Sequence, residues 1–166
     1  LWHYPLVIKG VDPDQLNADT GRRLRTVANV QELDEVYQAY ATINPDNLLI
    51  QELIPNSEKE RWVVAAYFDQ QGQKRFALAG NKLRQSPITG GVTTLAVTAN
   101  CPTVLEHLST LIHAVDYRGP VGADFCLDTR DGQHKILDVN PRLGANFRAL
   151  ADRNGLDIAR TRSEEH

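Results

Sequence analysis

The sequence predicts an α+β protein. Three observations carry that expectation. Two apolar runs within residues 119–142 flank a turn; a second pair, at 62–69 and 74–82, flanks Gln-Gln-Gly-Gln at 70–73; and apolar residues recur at helical spacing from 30 to about 41 and again after Pro102. Strands joined by such short turns pair antiparallel, so mainly antiparallel sheets are expected.

A chain of 166 residues is long enough to bury a core, as one domain or as two small lobes. Its 18 basic and 21 acidic residues leave a formal charge of −3, which gives no general attraction to nucleic acid. Arg22, Arg23 and Arg25 form the one dense basic cluster. The apolar runs are too short to span a bilayer and the first residues lack the layout of a signal peptide, so a soluble, cytoplasmic protein is expected. Cys101 and Cys126 lie far apart without metal-ligand spacing and read as reduced structural thiols. The sequence holds no methionine and opens on Leu-Trp-His-Tyr, which suggests a start inside a longer protein.

The 119–142 stretch organises the rest. Asp131-Gly132 is either a two-residue turn or the end of a three-residue loop, Arg130 to Gly132, with Gly132 at positive φ. The three-residue loop sets Asp124 opposite Asp138, Cys126 opposite Ile136 and Gly122 opposite Asn140. It also gathers Ala123, Phe125, Leu127, Leu137 and Val139 on one apolar face. The two-residue turn mixes acids with hydrophobes on both faces, which a half-buried hairpin resists, so the longer loop is preferred. Opposed carboxylates repel and call for a cation. Asp124, Asp138 and Asn140 offer oxygen ligands, which suits a hard ion such as Mg²⁺ that shares its shell with water and phosphate. Alternatively, Asp138 and Asn140 merely end a strand and Asp124 pairs with an arginine; the hairpin by itself leaves both readings open.

Taken in chain order, Pro5-Leu6-Val7-Ile8 reads as a buried strand delivering Lys9 to its end. Residues 10–25, rich in Asp and Asn with a Pro, read as a mobile loop. A strand is expected at 26–30. Asn29 and Glu32 then match a capping box opening a helix to about residue 41, whose Val30, Leu33, Val36, Tyr37 and Tyr40 share a face. Residues 48–55 form a second buried run that ends in polar residues and Pro55, after Asn-Pro-Asp-Asn at 44–47. Gly90-Gly91 marks a close backbone approach or a bend before a strand at 92–99. Pro102 stands at a helix N1 position, with Leu105, Leu108, Leu111, Ile112 and Val115 along one face; His107 and His113 read as surface or packing residues. A short helix is expected at 143–154, ending near Gly155.

Asp124, followed after the turn by Asp138-Val139-Asn140-Pro141-Arg142, resembles the metal-binding hairpin of the ATP-grasp superfamily, whose usual pattern is an acid and then Glu-x-Asn. Asp138 stands one methylene short of that glutamate. Pro-Leu-Val-Ile-Lys at 5–9 is similar to the strand whose lysine contacts nucleotide phosphates, and residues 48–55 are similar to the hinge. Lys82 to Thr94, with Arg84 and the glycine pair, is similar to the segment beside the phosphates and the acceptor. Residues 10–25 depart from the family's Gly- and Ser-rich flap.

The resemblance implies two α+β lobes gripping a nucleotide between them: a partial small lobe at 1–53, a large lobe at 54–160 and a tail at 161–166. It is most similar to carbamoyl-phosphate-synthase-like and carboxylate–amine ligase members. It implies that Lys9 binds ATP phosphates, that Gln51, Glu52 and Leu53 hold the adenine edge and that Glu58 binds the ribose, with Glu60 close enough to compete. Asp124, Asp138 and Asn140 would hold Mg²⁺, with Mn²⁺ as a substitute, while Arg84 and Arg142 offset phosphoryl charge. The implied activity is ATP-dependent ligation of a small-molecule carboxylate to an amine-type nucleophile through an acyl phosphate; the alternative is a nucleotide-binding or structural domain that no longer ligates. A missing N-terminal domain of the same protein is implied as partner, and a homodimer is compatible with the pattern.

Overall fold

The structure is a computed structural model describing residues 3–54, 56–86, 92–144, 150–152, 154, 155 and 157–163; for residues 56–59 and 92 it describes the backbone alone. The chain divides into two compact units, Leu1–Ile54 and Pro55–His166.

The first unit is a three-stranded antiparallel sheet, β1 (Leu6–Gly10), β2 (Leu24–Val27) and β3 (Leu48–Glu52), in the order β2-β1-β3. Leu6, Ile8 and Val27 are fully buried on one face, packed by Leu33, Val36 and Tyr40 of α2 (Val30–Ala41) and by Leu48 and Ile50. Asn29 caps α2 as the sequence implies, its Oδ1 accepting from the Glu32 amide at 2.9 Å. Glu32 reaches back one residue further than expected, to the Ala28 amide at 2.9 Å. Val30 and Tyr37 stay exposed, so only part of the expected apolar face packs.

Residues 10–25 are not simply a loop. They contain α1 (Pro13–Thr20), and β2 begins at Leu24, two residues before the strand expected there. Three local signals explain the helix. The Asp12 carboxylate accepts from the amides of Asp14 and Gln15, Pro13 supplies a preset φ in the first turn, and Gly21 closes the helix at φ 72°. Buried Asn47 fixes the entry. Its Oδ1 accepts from the Asp12 amide at 2.7 Å, and its Nδ2 donates to the Asp12 carbonyl at 3.0 Å.

The second unit is a five-stranded antiparallel sheet in the order β6-β5-β4-β7-β8, built from β4 (Asn56–Phe68), β5 (Lys74–Ser86), β6 (Val92–Thr98), β7 (Gly119–Asp128) and β8 (Gln133–Asn140). Strand alternation gives it two apolar faces. Val64, Ala66, Phe68, Ala79, Val121, Ala123 and Phe125 pack under α3 (Pro102–Ala114), which contributes Val104, Leu108 and Ile112. Val63, Ala65, Tyr67 and Phe76 occupy the other face with Leu150 and with Ile158 of α4 (Ile158–Ser163). The histidines of α3 serve packing. His113 bonds the Gly72 carbonyl at 3.1 Å and stands edge-on to Phe68, while His107 bonds the His134 carbonyl at 3.2 Å. Both cysteines are buried and free. Of the helix expected at 143–154, residues 145–149 and 153 lie outside the described residues, and Leu143, Gly144, Leu150, Ala151, Asp152 and Asn154 are not helical; the helix that is described comes later, as α4.

The β7–β8 register departs from the expected one in an instructive way. Asp128 pairs with Gln133, so the turn holds four residues rather than three, and the Gly132 amide donates to the Asp128 carbonyl at 2.8 Å. The extra residue is taken back at a bulge: Phe125 pairs with Ile136 and Asp124 with Asp138, leaving Leu137 unmatched between them. The expected pairs Asp124–Asp138 and Gly122–Asn140 stand. Cys126 instead faces Lys135, and Ile136 takes the core position beside Phe125 that Leu137 was expected to fill.

Candidate functional site

In the second unit the oxygen ligands converge on one sheet face. Asp124 lies between Val63 of β4 and Asp138 of β8, and Val63 belongs to the α4-side cluster, which identifies the face. Asn140, two residues past Asp138, follows it on that face. Asn140 Nδ2 donates to Asp138 Oδ2 at 2.7 Å. Arg142 donates its backbone amide to the Asn140 carbonyl at 2.8 Å and extends Nη2 to 3.4 Å from Asn140 Oδ1.

The cation that two opposed carboxylates require is Lys82. Its Nζ lies 2.8 Å from Asp124 Oδ2, and the residue is only 8% exposed against 34% for Asp124. The reach is long. Lys82 sits on β5 and Asp124 on β7, with β4 between them, so the side chain spans two strand spacings of about 4.8 Å each. The sequence marks Lys82 only as a strand end. The available signal was its position: two residues past Gly80, it falls on the buried register of β5, where an unpaired lysine is rare. Arg84, expected to stabilise phosphate, lies past a bulge, pairs with Leu95 and is exposed. The glycine pair beside it lies outside the described residues.

Lys135 and Asp128 mark the opposite end of this hairpin, where the chemistry is structural. Asp128 is buried, and Arg130 holds it with Nε–Oδ1 at 2.9 Å, Nη2–Oδ2 at 2.6 Å and its own backbone amide at 3.0 Å. The Arg130 hydrogen bond outweighs burial and holds the carboxyl down to about 2. The hydrogen bond from Lys135 likewise keeps Asp131 below the usual carboxylate range.

In the first unit, Lys9 is the next-to-last residue of β1, opposite Leu49 and Leu24, and Gln51 lies opposite Val7. Alternation therefore puts Lys9 and Gln51 on the same face, away from α2. Glu52 pairs with Leu6 and shares the α2 face. The Leu53 amide donates to the Pro5 carbonyl at 3.0 Å, just beyond the paired ends of β3 and β1, so this backbone donor is already engaged. Glu58 falls on β4, with its side chain outside the described residues.

The donor set fits a hard divalent cation at Asp124, Asp138 and Asn140. Among the described residues no three His, Cys, Asp or Glu side chains gather to cage a metal, so protein oxygens would supply only part of the shell. That is the usual arrangement for Mg²⁺ held by one or two carboxylates together with water and substrate phosphate.

No protein-family model matches the chain. D-aspartate ligase of Enterococcus faecium (strain Aus0004) is 25% identical over 120 residues, covering 71% of this chain and 28% of that protein. Among solved structures, L-amino acid ligase from Bacillus licheniformis superposes with a TM-score of 0.59 at 16% identity, over 87% of this chain and 33% of that one. N5-carboxyaminoimidazole synthetase from Staphylococcus aureus, complexed with ADP, gives 0.58 at 13% identity, over 88% and 36%. The chain thus spans roughly a third of the length of these proteins. Two antiparallel α+β units in this order, with an acid pair on the last hairpin, make the chain a domain of the ATP-grasp fold.

Proposed function

We propose that this chain is the nucleotide- and metal-binding part of an ATP-dependent ligase that joins a small-molecule carboxylate to an amine-type nucleophile. The carrying observation is the pairing of Asp124 with Asp138, with Asn140 on the same face and a nearly buried lysine among them. Such a face suits the handling of a charged phosphate with its cation.

The chemistry asks for positioning and charge neutralisation rather than a side-chain nucleophile. An oxygen of the substrate carboxylate attacks the γ-phosphorus of ATP and ADP leaves, giving an acyl phosphate. The amine then attacks the carbonyl carbon, and phosphate departs with the oxygen it received. Asp124, Asp138 and Asn140 hold the cation, which when bound supplies charge neutralisation to the phosphate oxygens. Lys82 and Arg142 donate to phosphate oxygens on the same face, and Arg84 is the further candidate. Lys9 is assigned to nucleotide phosphates, Gln51, Glu52 and Leu53 to the adenine, Leu53 through its carbonyl because its amide is held by Pro5, and Glu58 to the ribose. Because two of the similar proteins carry amino-acid ligase names, D- and L-amino acids are the first carboxylates and amines to screen.

A thermal-shift titration with AMP-PNP and Mg²⁺, separately and together, tests the reading. A ligand at a hundredfold excess over its Kd stabilises by about 2.7 kcal/mol, a shift of several degrees. A shift that needs both ligands supports the site. A folded protein that ignores both sinks it. A second reading, binding without ligation, is favoured by the shorter Asp138 and by α1 in place of a glycine-rich flap; metal-dependent binding with no ADP release across the amino-acid screen of the full-length protein would select it.

A further inference from the structure

We propose that Lys82 makes cation binding and phosphate binding mutually dependent, so that the metal enters this site effectively only together with a polyphosphate. The inference rests on the nucleotide-site reading above and adds a coupling to it. Lys82 acts as the resident cation of the acid pair, its Nζ 2.8 Å from Asp124 Oδ2 and its side chain 8% exposed. Asp138, directly opposite Asp124, pairs with no cation among the described residues and accepts from the neutral Asn140 amide at 2.7 Å.

A divalent ion arriving alone meets two unfavourable outcomes. If Lys82 stays on Asp124, two positive charges share one carboxylate at close range. If Lys82 is released, an ammonium is left in a nearly buried position without its counter-charge, which costs far more than the loss of an exposed pair. A phosphate removes both costs, since its oxygens accept from Lys82 while also binding the ion. Reciprocity follows: whatever factor the phosphate adds to cation affinity, the cation adds to phosphate affinity. Lys82 is thus a positioning and coupling residue, and Asp124 is the carboxylate it hands over.

The test uses Mn²⁺ titrations followed by the EPR signal of the free ion, with and without AMP-PNP, on the wild type and on Lys82→Met, Lys82→Gln and Lys82→Arg. Methionine keeps the packing of the lysine stem; circular dichroism and thermal melts confirm folding. In the wild type, AMP-PNP is expected to tighten Mn²⁺ binding by at least tenfold, in the ordinary range of coupling between sites. Lys82→Met and Lys82→Gln should bind Mn²⁺ alone about tenfold more tightly than wild type and lose most of that enhancement, while Lys82→Arg keeps it. Folded Lys82→Met and Lys82→Gln with unchanged or weaker affinity for Mn²⁺ alone would overturn the coupling and leave the nucleotide site intact. Wild type that binds no Mn²⁺ even with AMP-PNP would overturn both.

Discussion

Asp124 and Asp138 face each other across β7 and β8 on a hairpin whose four-residue turn and Leu137 bulge cancel in register. Two like charges so placed destabilise a sheet. One of them is offset by Lys82, and the other is left on an exposed position. This is a cost without a folding benefit, which is the usual mark of a site kept for binding.

Asp138→Asn should therefore separate stability from function. Removing the opposed charge is expected to raise ligand-free stability by about 0.5 kcal/mol, within the range of cross-strand pair effects. The same change should abolish the Mg²⁺-dependent part of the AMP-PNP thermal shift. Urea denaturation and the ligand titration check the two halves; a mutant that is less stable yet still responds to Mg²⁺ contradicts both.

The large-unit core offers a simpler case. Phe125 is 1% exposed and packs under α3, in register with Ile136. Phe125→Ala is expected to cost about 3–5 kcal/mol, the range for deleting a buried aromatic ring. Chemical denaturation followed by tryptophan fluorescence measures it, since Trp62 of β4 pairs with Phe125. A loss under 1 kcal/mol would mean that the site collapses around the cavity.

Much of this was legible in the sequence, and the parts that were not share a cause. Hairpins, capped helices and the Asp124–Asp138 pair follow from periodicity and turn chemistry, which are local. The four-residue turn and the bulge at Leu137 were missed because a three-residue loop without a bulge and a four-residue turn with one give the same acid pairing; only the choice between Ile136 and Leu137 for the core distinguishes them. Lys82 was missed for a different reason. Its partner lies two strands away and 42 positions on in sequence, and no local pattern reports a contact made across an intervening strand. Helix α1 was in principle readable, since Asp12-Pro13 and Gly21 are cap signals, but its weak apolar periodicity hid it, with Leu16 as its one buried residue.

Acid should weaken the turn of the hairpin. Asp128 in the folded chain titrates at about 2, below the unfolded value of about 3.9, because Arg130 bonds its carboxylate. A depressed carboxyl pKa contributes stability that is fully present above the unfolded value and is lost as pH falls through the folded one. The wild type should thus lose this contribution between about pH 4 and pH 2. Asp128→Asn should be less stable at neutral pH and show a shallower fall over that window in thermal melts. Parallel wild-type and mutant curves from pH 5 to pH 2 would rule this out.

Asn47 is expected to control α1. Its side chain holds both the amide and the carbonyl of Asp12, and Asp12 in turn caps the helix. Asn47→Ala leaves the Asp12 amide without its acceptor, while the Asp12 carbonyl keeps the Leu16 amide at 3.1 Å; the expected cost is about 1 kcal/mol, and Asn47→Asp retains the acceptor for the amide. The loss should be local first, because α1 has one buried residue and little else to anchor it. Hydrogen exchange should accelerate from Asp14 to Gly21 well before it does in β4 or β7. If α1 positions the segment after Lys9 for phosphate binding, AMP-PNP affinity should fall with it while the Mn²⁺ affinity measured without nucleotide stays unchanged. Loss of both together would place the effect of Asn47 in global stability rather than in α1.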